Sequence, residues 1–208
     1  WQEARTTMGY QPVLHTPLML ILGGQPYIDV RASFNSFLPA KLPQITREKL
    51  VNAWLNRLEG HPEFHDKVEF EIAQTTVDFN FTEDYLGRYR NVLSHDEYRE
   101  FRFELAQLTV ANLSLDPKAS LPTALRKIEQ LEDIQSSRNE KFARDTHLEQ
   151  LPVLLDECKD LGTRPFSIIA RHAFIAETIL RSAIIRNALS ESRFNEFKRS
   201  LLTITSDF

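Results

Sequence analysis

The sequence predicts an α+β fold that is predominantly α-helical, with a small N-terminal antiparallel sheet packed on a helical bundle. Apolar and polar residues alternate in residues 24–37 and again in residues 67–72, which is typical of strands with one buried face. From residue 81 onward, apolar residues instead recur every three or four positions, as they do in amphipathic helices. These two periods place the strands early in the chain and the helices after them.

We expect a single domain over residues 1–208, with a β-containing part at 1–80 and a helical part at 81–208. The chain has 42% hydrophobic and 26% charged residues, a composition that can bury a core. Because it begins with Trp1 rather than methionine, we expect it to be a piece excised from a longer protein.

Charge and cysteine content exclude several classes of protein. The formal net charge of -4 argues against a protein that binds nucleic acid by neutralising phosphates. No apolar run approaches the roughly 20 residues that span a bilayer, so we expect no membrane association. The one cysteine, Cys158, excludes an internal disulfide and suits a reducing compartment, from which we expect a cytoplasmic protein.

The predicted sheet starts with an apolar run at residues 18–22, a Gly-Gly turn and the alternating stretch at 24–37. In an extended chain, Ile28, Val30, Ala32 and Phe34 would share one side. A further strand at 67–72 would pair with this hairpin. The polar sides of both strands would then lie together and present Asp29, Arg31, Lys67, Glu69 and Glu71.

Helix boundaries are marked by capping residues. Thr46 can cap a helix over residues 47–59. Ser94 and Glu97 form the capping-box pattern, in which each side chain bonds the other residue's backbone amide. Ser190 is placed to start the last helix.

The longest predicted helix runs from Arg164 to about residue 189 and is the central helix of the core. Gly162 is a usual stop residue, so we expect the preceding helix to end there. Pro165 is well tolerated in the first turn of the new helix.

The polar strand face is the first candidate site, with His65 at the entrance of the second strand. Arg31 can bind a carboxylate or a phosphate through two parallel hydrogen bonds, and Lys67 adds a second positive charge. The alternative is an ion-pair network that fixes strand register or docks a neighbouring domain.

Arg164 and Arg171 are a second candidate, since seven residues is nearly two helical turns and places both on one face. At the start of a helix, Arg164 would lie beside free backbone amides that favour an anion. The alternative is salt bridging to the acidic stretch at residues 63–105.

No complete catalytic or metal-binding pattern is present in the sequence. The six histidines lack the spacings that place two metal ligands on one helix face. Neither Gly-x-x-x-x-Gly-Lys-Ser/Thr nor Gly-x-Gly-x-x-Gly occurs, so we predict no phosphate-cradling loop. We therefore assign no catalytic residue and no metal ligand.

Four segments carry a resemblance to a known family: residues 26–37, 65–72, 163–166 and 170–174. They resemble the middle region of phosphoenolpyruvate-synthase-like, PEP-utilising phosphotransferases, and among these the glutamine-kinase-like branch. The likeness extends along nearly the whole chain.

The resemblance implies a parent kinase or phosphotransferase with three parts. An ATP-grasp domain would bind ATP and Mg²⁺, and a swivelling domain would carry a phosphorylated histidine. This chain would be the middle domain, either facing the substrate or linking the other two, which would be its partners. Because it lacks both neighbours' signatures, ATP and the phosphohistidine are assigned to no residue here, and we expect the domain alone to be inactive.

Within that framework, Arg31, Lys67 and Arg171 would neutralise a phosphate or carboxylate on a small polar or anionic substrate. Asp29, Glu69 and His65 would orient them or the acceptor. The remaining candidate substrate-binding residues are Asn35, Ser36 and Arg164. The alternative hypothesis is a purely structural module that docks other domains and has no ligand site.

Overall fold

The computed structural model describes residues 2–13, 17–141 and 150–201. It confirms a mostly helical α+β fold in which the described residues form one two-stranded antiparallel sheet. The elements, in chain order, are α1 (Gln2–Thr7), β1 (Met19–Leu22), β2 (Gln25–Ile28), α2 (Val30–Asn35), α3 (Gln44–Gly60), a 3₁₀ turn (Pro62–Phe64), a first π-helical segment (Val68–Ile72), α4 (Phe81–Tyr89), α5 (His95–Asn112), α6 (Ser120–Lys141), α7 (Leu151–Glu157), a second π-helical segment (Cys158–Thr163), α8 (Arg164–Ile185) and α9 (Glu191–Ser200).

The predicted hairpin forms, but it is short. Met19 lies opposite Ile28 and Leu22 opposite Gln25. The two-residue turn needs positive φ angles, which Gly23 and Gly24 supply at 58° and 79°. Every residue of both strands is exposed, so the sheet contributes no side chain to the buried core.

Residues 30–35 are helical, and the prediction that the strand continues to residue 37 is wrong. Asp29 caps α2, because its Oδ1 accepts a hydrogen bond from the Ala32 amide at 2.9 Å. Phe34 and Leu38 are buried four residues apart, which is helical spacing. The apolar residues of this segment fit both the two-residue period of a strand and the period of a helix. The Asp29 cap and the burial of Phe34 favour the helix.

Residues 68–72 form a π-helical turn, so the predicted second strand is also wrong. The Ala73 amide donates to the Val68 carbonyl at 2.7 Å, five residues back. Side chains bond the carbonyls that a neighbouring strand would otherwise bind. Arg57 donates to the Glu71 carbonyl at 2.7 Å, Arg88 to that of Phe70 at 2.8 Å and Tyr89 to that of Ile72 at 2.6 Å.

The core lies where α2 packs against α3, and it continues beneath α4, α5 and α8. Trp54 of α3 is fully buried, and the Phe34 ring meets it edge-on with centroids 5.9 Å apart. Further side chains with less than 2% exposure include Tyr10, Tyr85, Tyr89, Phe101, Leu50, Leu105 and Ile175. None of the described helices has the length and apolar character to cross a membrane.

Two of the three predicted caps are confirmed. Ser94 and Glu97 form the complete capping box of α5, and Ser190 Oγ accepts from the Arg193 amide at the start of α9. Thr46 does not cap α3, because that helix begins at Gln44 and Thr46 is buried inside it.

Gly162 does not stop a helix, contrary to the prediction. The chain stays helical from α7 through the second π-helical segment into α8. A Cβ at Gly162 would lie 3.3 Å from Leu131 Cδ2 of α6, tighter than most side-chain contacts. A glycine there lets α6 pack close to the π-helical segment.

Candidate functional site

The predicted polar strand face does not exist as one surface, because its residues lie in or at the start of helical segments. Asp29 and Arg31 lie at α2, whereas Lys67 lies at the start of the first π-helical segment and is exposed. His65 is exposed, with Nδ1 3.1 Å from the Pro62 carbonyl oxygen. Among the other predicted site residues, Glu69 and Arg171 lie in a buried ionic cluster, whereas Asp29, Arg31 and Asn35 line an open pocket.

The buried ionic cluster is centred on Arg171 of α8, whose side chain is 3% exposed. Its guanidinium forms an ion pair with Glu69, which is 13% exposed. Nε donates to the Tyr10 hydroxyl at 3.0 Å and Nη2 to the Thr75 carbonyl at 3.1 Å. The guanidinium carbon also lies 6.0 Å from the centre of the Phe37 ring.

A second arginine, Arg5 of α1, adjoins this cluster. Its Nη1 donates to the Ser36 hydroxyl, and its guanidinium carbon lies 4.0 Å from the Phe37 ring centre. Burial and then the charge of Arg171 lower the pKa of Arg5 to about 10. Arg5 therefore stays protonated at neutral pH, and Ser36, fully buried beneath it, is closed to a substrate.

Arg171 connects the segments that carry the family resemblance. It pairs with Glu69 from residues 65–72 and contacts Phe37 from residues 26–37, while lying itself in residues 170–174. The salt-bridge interpretation of Arg171 is therefore the one the geometry matches. A buried, fully engaged guanidinium joins elements of the fold and has no open side for an anion.

Arg164 is not at a free helix end. Its amide donates to the Lys159 carbonyl, because the helix is continuous through this point. Its side chain pairs with Glu3 of α1 and with Asp160 at 3.2 Å. The prediction that free backbone amides at Arg164 form an anion site is wrong.

An open pocket of about 560 Å³ lies between α2 and α3. Its volume is in the usual range for small-molecule sites, about 300–1,000 Å³. Three predicted site residues, Asp29, Arg31 and Asn35, line it. The others that line it are Val13, Ala32, Gln44, Arg47, Glu48, Val51 and Asn52.

Two arginines, Arg31 and Arg47, line this pocket. Arg31 Nη1 donates to Asn52 Oδ1 at 2.8 Å, and Arg47 Nε is buried without a hydrogen-bond partner. In the part of the chain that the structure describes, neither arginine forms an ion pair. The pocket carboxylates have other partners, since Asp29 caps α2 and Glu48 accepts from Gln44 at 2.8 Å.

The wall of the pocket that α3 contributes was not predicted from the sequence. Gln44, Glu48 and Asn52 recur every four residues and form one polar face of α3, with Arg47 beside them. This periodicity was visible in the sequence. Only the packing of α2 on α3 shows that the face meets Arg31 rather than solvent alone.

His172, next to Arg171, gives the fold a pH dependence. Burial and then the charge of Arg171 lower the pKa of His172 below its ordinary value of 6.5. The neutral ring has Nε2 3.1 Å from the Ser120 hydroxyl oxygen. This contribution to stability is present above about pH 6.5 and is lost as the pH falls through the lower pKa of the folded state.

We expect the melting temperature of the His172→Gln variant to fall less than that of the wild type between about pH 7 and pH 5.5. Calorimetric unfolding at both pH values measures the difference. His95→Gln is the matched control, because the His95 side chain is 82% exposed. Parallel losses in all three proteins would show that His172 protonation does not govern this response.

The resemblance implies ATP and Mg²⁺ for the parent, and no residue of this domain is assigned to hold either. The sequence contains neither glycine pattern of a phosphate-binding loop. Within residues 2–13, 17–141 and 150–201, no group of three His, Cys, Asp or Glu side chains is arranged to hold a metal ion.

Comparison of the chain with protein-family models, curated proteins and solved structures gives no match. The case for a function therefore depends on the geometry of the open pocket and on the resemblance that the four sequence segments carry.

Proposed function

We propose that this chain is the substrate-facing middle domain of a phosphoenolpyruvate-synthase-like phosphotransferase whose phosphohistidine lies on another domain. The observation that carries the proposal is the pair Arg31 and Arg47, which share one open pocket without a carboxylate partner in the described part of the chain. Two such guanidinium groups favour a carboxylate or phosphate. The family resemblance supplies the reaction in which such an anion would take part.

In this proposal, the pocket residues hold the substrate and perform no covalent step. Arg31 and Arg47 neutralise its anionic group, and the amides of Asn35 and Asn52 orient its polar atoms. Positioning and charge stabilisation are the main contributions that proteins make to phosphoryl transfer. The proposed substrate contacts do not include four of the residues predicted from the sequence, because these do not line the pocket: His65, Lys67, Glu69 and Arg171.

The parent's other domains complete the proposal. An ATP-grasp domain would supply ATP and Mg²⁺, and a phosphohistidine domain would deliver the phosphoryl group to the pocket. A cytoplasmic location belongs to the same proposal, since the single cysteine suits a reducing compartment.

A structural docking module is the second candidate, favoured by the exposed hairpin. Its strands carry no charge, and the exposed fractions of Ile21, Leu22 and Ile28 reach 59–69%. Exposed apolar surface of this kind marks contact sites for other proteins or domains. In this alternative, the hairpin docks a neighbouring domain and the open pocket binds nothing.

Calorimetric titration of this chain with inorganic phosphate, phosphoenolpyruvate, pyruvate and glutamine separates the two candidates. We expect at least one of these anions or the amino acid to bind the wild type. Arg31→Gln and Arg47→Gln should each lower that affinity about tenfold or more, because a hydrogen bond to a charged group contributes about 1.5–3 kcal/mol.

Arg90→Gln is the control, since Arg90 is exposed and does not line the pocket. Its affinity should equal that of the wild type. Absence of binding by all four compounds, or equal binding by every variant, would overturn the substrate-facing role and favour the docking module.

A further inference from the structure

A second, smaller cavity lies apart from the pocket of Arg31 and Arg47. It has a volume of about 210 Å³ and is bounded by the segment after the first π-helical turn, by α4 and by α8. At about 30 Å³ per water molecule, it has room for a ligand of only a few non-hydrogen atoms. Phe81 and Ile185 supply apolar parts of its wall.

Two residues that line this cavity, Gln74 and Thr76, each have a buried polar atom without a partner. Gln74 and Thr76 are 8% and 4% exposed, and neither Gln74 Oε1 nor Thr76 Oγ1 has a hydrogen-bond partner. The Gln74 amide nitrogen donates to the Phe81 carbonyl at 3.1 Å, which leaves the amide oxygen as the free acceptor. A buried unpaired polar group costs about 1–3 kcal/mol, so a partner at this position is favoured.

Two carboxylates, Asp78 and Asp84, line the same cavity. Asp78 Oδ1 accepts from the Asn80 amide and Asp84 Oδ1 from Asn80 Nδ2, each at 2.9 Å. Neither carboxylate forms an ion pair with a described residue. Burial raises the pKa of the Asp78 carboxyl group, and the charge of Asp84 raises it further. The hydrogen bond from the Asn80 amide lowers this pKa, but the net effect is an increase.

Arg88, Arg181 and Ser182 line the cavity, and each already donates a hydrogen bond elsewhere. Arg88 donates to the Phe70 carbonyl at 2.8 Å and lies 3.7 Å from Glu71. Arg181 donates to Glu177 at 2.7 Å, and the Ser182 hydroxyl donates to the Ile179 carbonyl at 2.8 Å. The buried groups left without a partner are the Gln74 amide oxygen and the Thr76 hydroxyl, and the carboxylates of Asp78 and Asp84 lie on the same cavity. This set favours a ligand that donates hydrogen bonds and carries a positive charge.

We propose that this cavity binds the primary ammonium group of a small amine. The ammonium has three donors, for which the Gln74 amide oxygen, the Thr76 hydroxyl oxygen and a carboxylate of Asp78 or Asp84 are the matching acceptors. A short carbon chain would contact Phe81 and Ile185. A metal ion fits less well, because no three His, Cys, Asp or Glu side chains of the described residues form a metal site.

Calorimetric titration with n-propylammonium chloride tests this site, with tetramethylammonium chloride at the same ionic strength as the comparison. The second cation has the same charge and no N–H donor. We expect saturable binding of n-propylammonium only. Equal heats from both salts would mean nonspecific screening and would overturn the proposal.

Thr76→Val separates a ligand site from a packing defect. The hydroxyl has no partner, so its replacement by a methyl group of similar shape should leave the melting temperature equal or higher. The affinity for n-propylammonium should nevertheless fall several-fold. If that affinity is unchanged, Thr76 faces no ligand and the inference fails.

Asp84→Asn keeps the shape and an acceptor for Asn80, and should lower the affinity about tenfold by removing the charge. Asp133→Asn is the matched control, because Asp133 is exposed on α6 and does not line the cavity. Equal losses in both variants would indicate a general charge effect and contradict the site. Arg31→Gln should leave amine binding intact, so this test is independent of the proposed function.

Discussion

Replacement of Arg171 by methionine should lower the free energy of unfolding by about 3–5 kcal/mol. The reason is that the Glu69 carboxylate would lose its positively charged partner. Glu69 is 13% exposed and its partner is the Arg171 guanidinium, so the variant would hold a buried charge without compensation. The Tyr10 hydroxyl and the Thr75 carbonyl would also lose their donor.

Urea unfolding followed by circular dichroism measures this loss. The Arg171→Met/Glu69→Gln double variant should be less destabilised than the sum of the single variants, because no charge remains unpaired. Lys49→Met is the control for a surface ion pair. Lys49 is 44% exposed and lies 2.6 Å from Glu97, and its loss should cost less than about 1 kcal/mol. Similar losses for Lys49→Met and Arg171→Met would contradict the buried-pair argument.

Phe34→Ala should destabilise the protein by about 3–5 kcal/mol, whereas Ile28→Ala should change stability by less than about 0.5 kcal/mol. Phe34 is 1% exposed and packs edge-on against Trp54, while Ile28 is 59% exposed. In a continuous strand over residues 24–37 both side chains would share the buried face. The comparison therefore tests the helical turn at α2 directly.

The same urea unfolding experiment applies to both variants, with the m-value confirming that each unfolds from a similarly compact state. Large and equal losses would indicate that Ile28 is buried as a strand requires. They would contradict the boundary between β2 and α2.

Three of the nine predicted site residues line the open pocket, and the reason lies in secondary structure. Asp29, Arg31 and Asn35 stay together because they are neighbours in one short segment, whether it is extended or helical. Lys67 and Glu69 were linked to them only through strand pairing. Because residues 68–72 form a π-helical turn, this strand pairing does not occur and the two groups of residues lie apart.

Features set by contacts between close neighbours in the chain were determined by the sequence itself. The hairpin turn needs only two glycines that tolerate positive φ, and the cap of α5 needs only Ser94 and Glu97, three residues apart. The helical period of the second half also follows from local spacing. The mostly helical fold class was therefore predictable from the sequence.

Tertiary structure decided the segments where local preferences were evenly balanced. The π-helical turn at 68–72 depends on Arg57, Arg88 and Tyr89, which come from α3 and α4 and bond its carbonyls. The pocket exists because α2 lies on the polar face of α3, so that Arg31 and Arg47 line the same pocket. Strand alternation and helix periodicity are patterns among residues a few positions apart. The hydrogen bonds of the π-helical turn and of Arg31 with Asn52 instead join residues 14 to 21 positions apart in the chain. Only the packed fold brings these residues together.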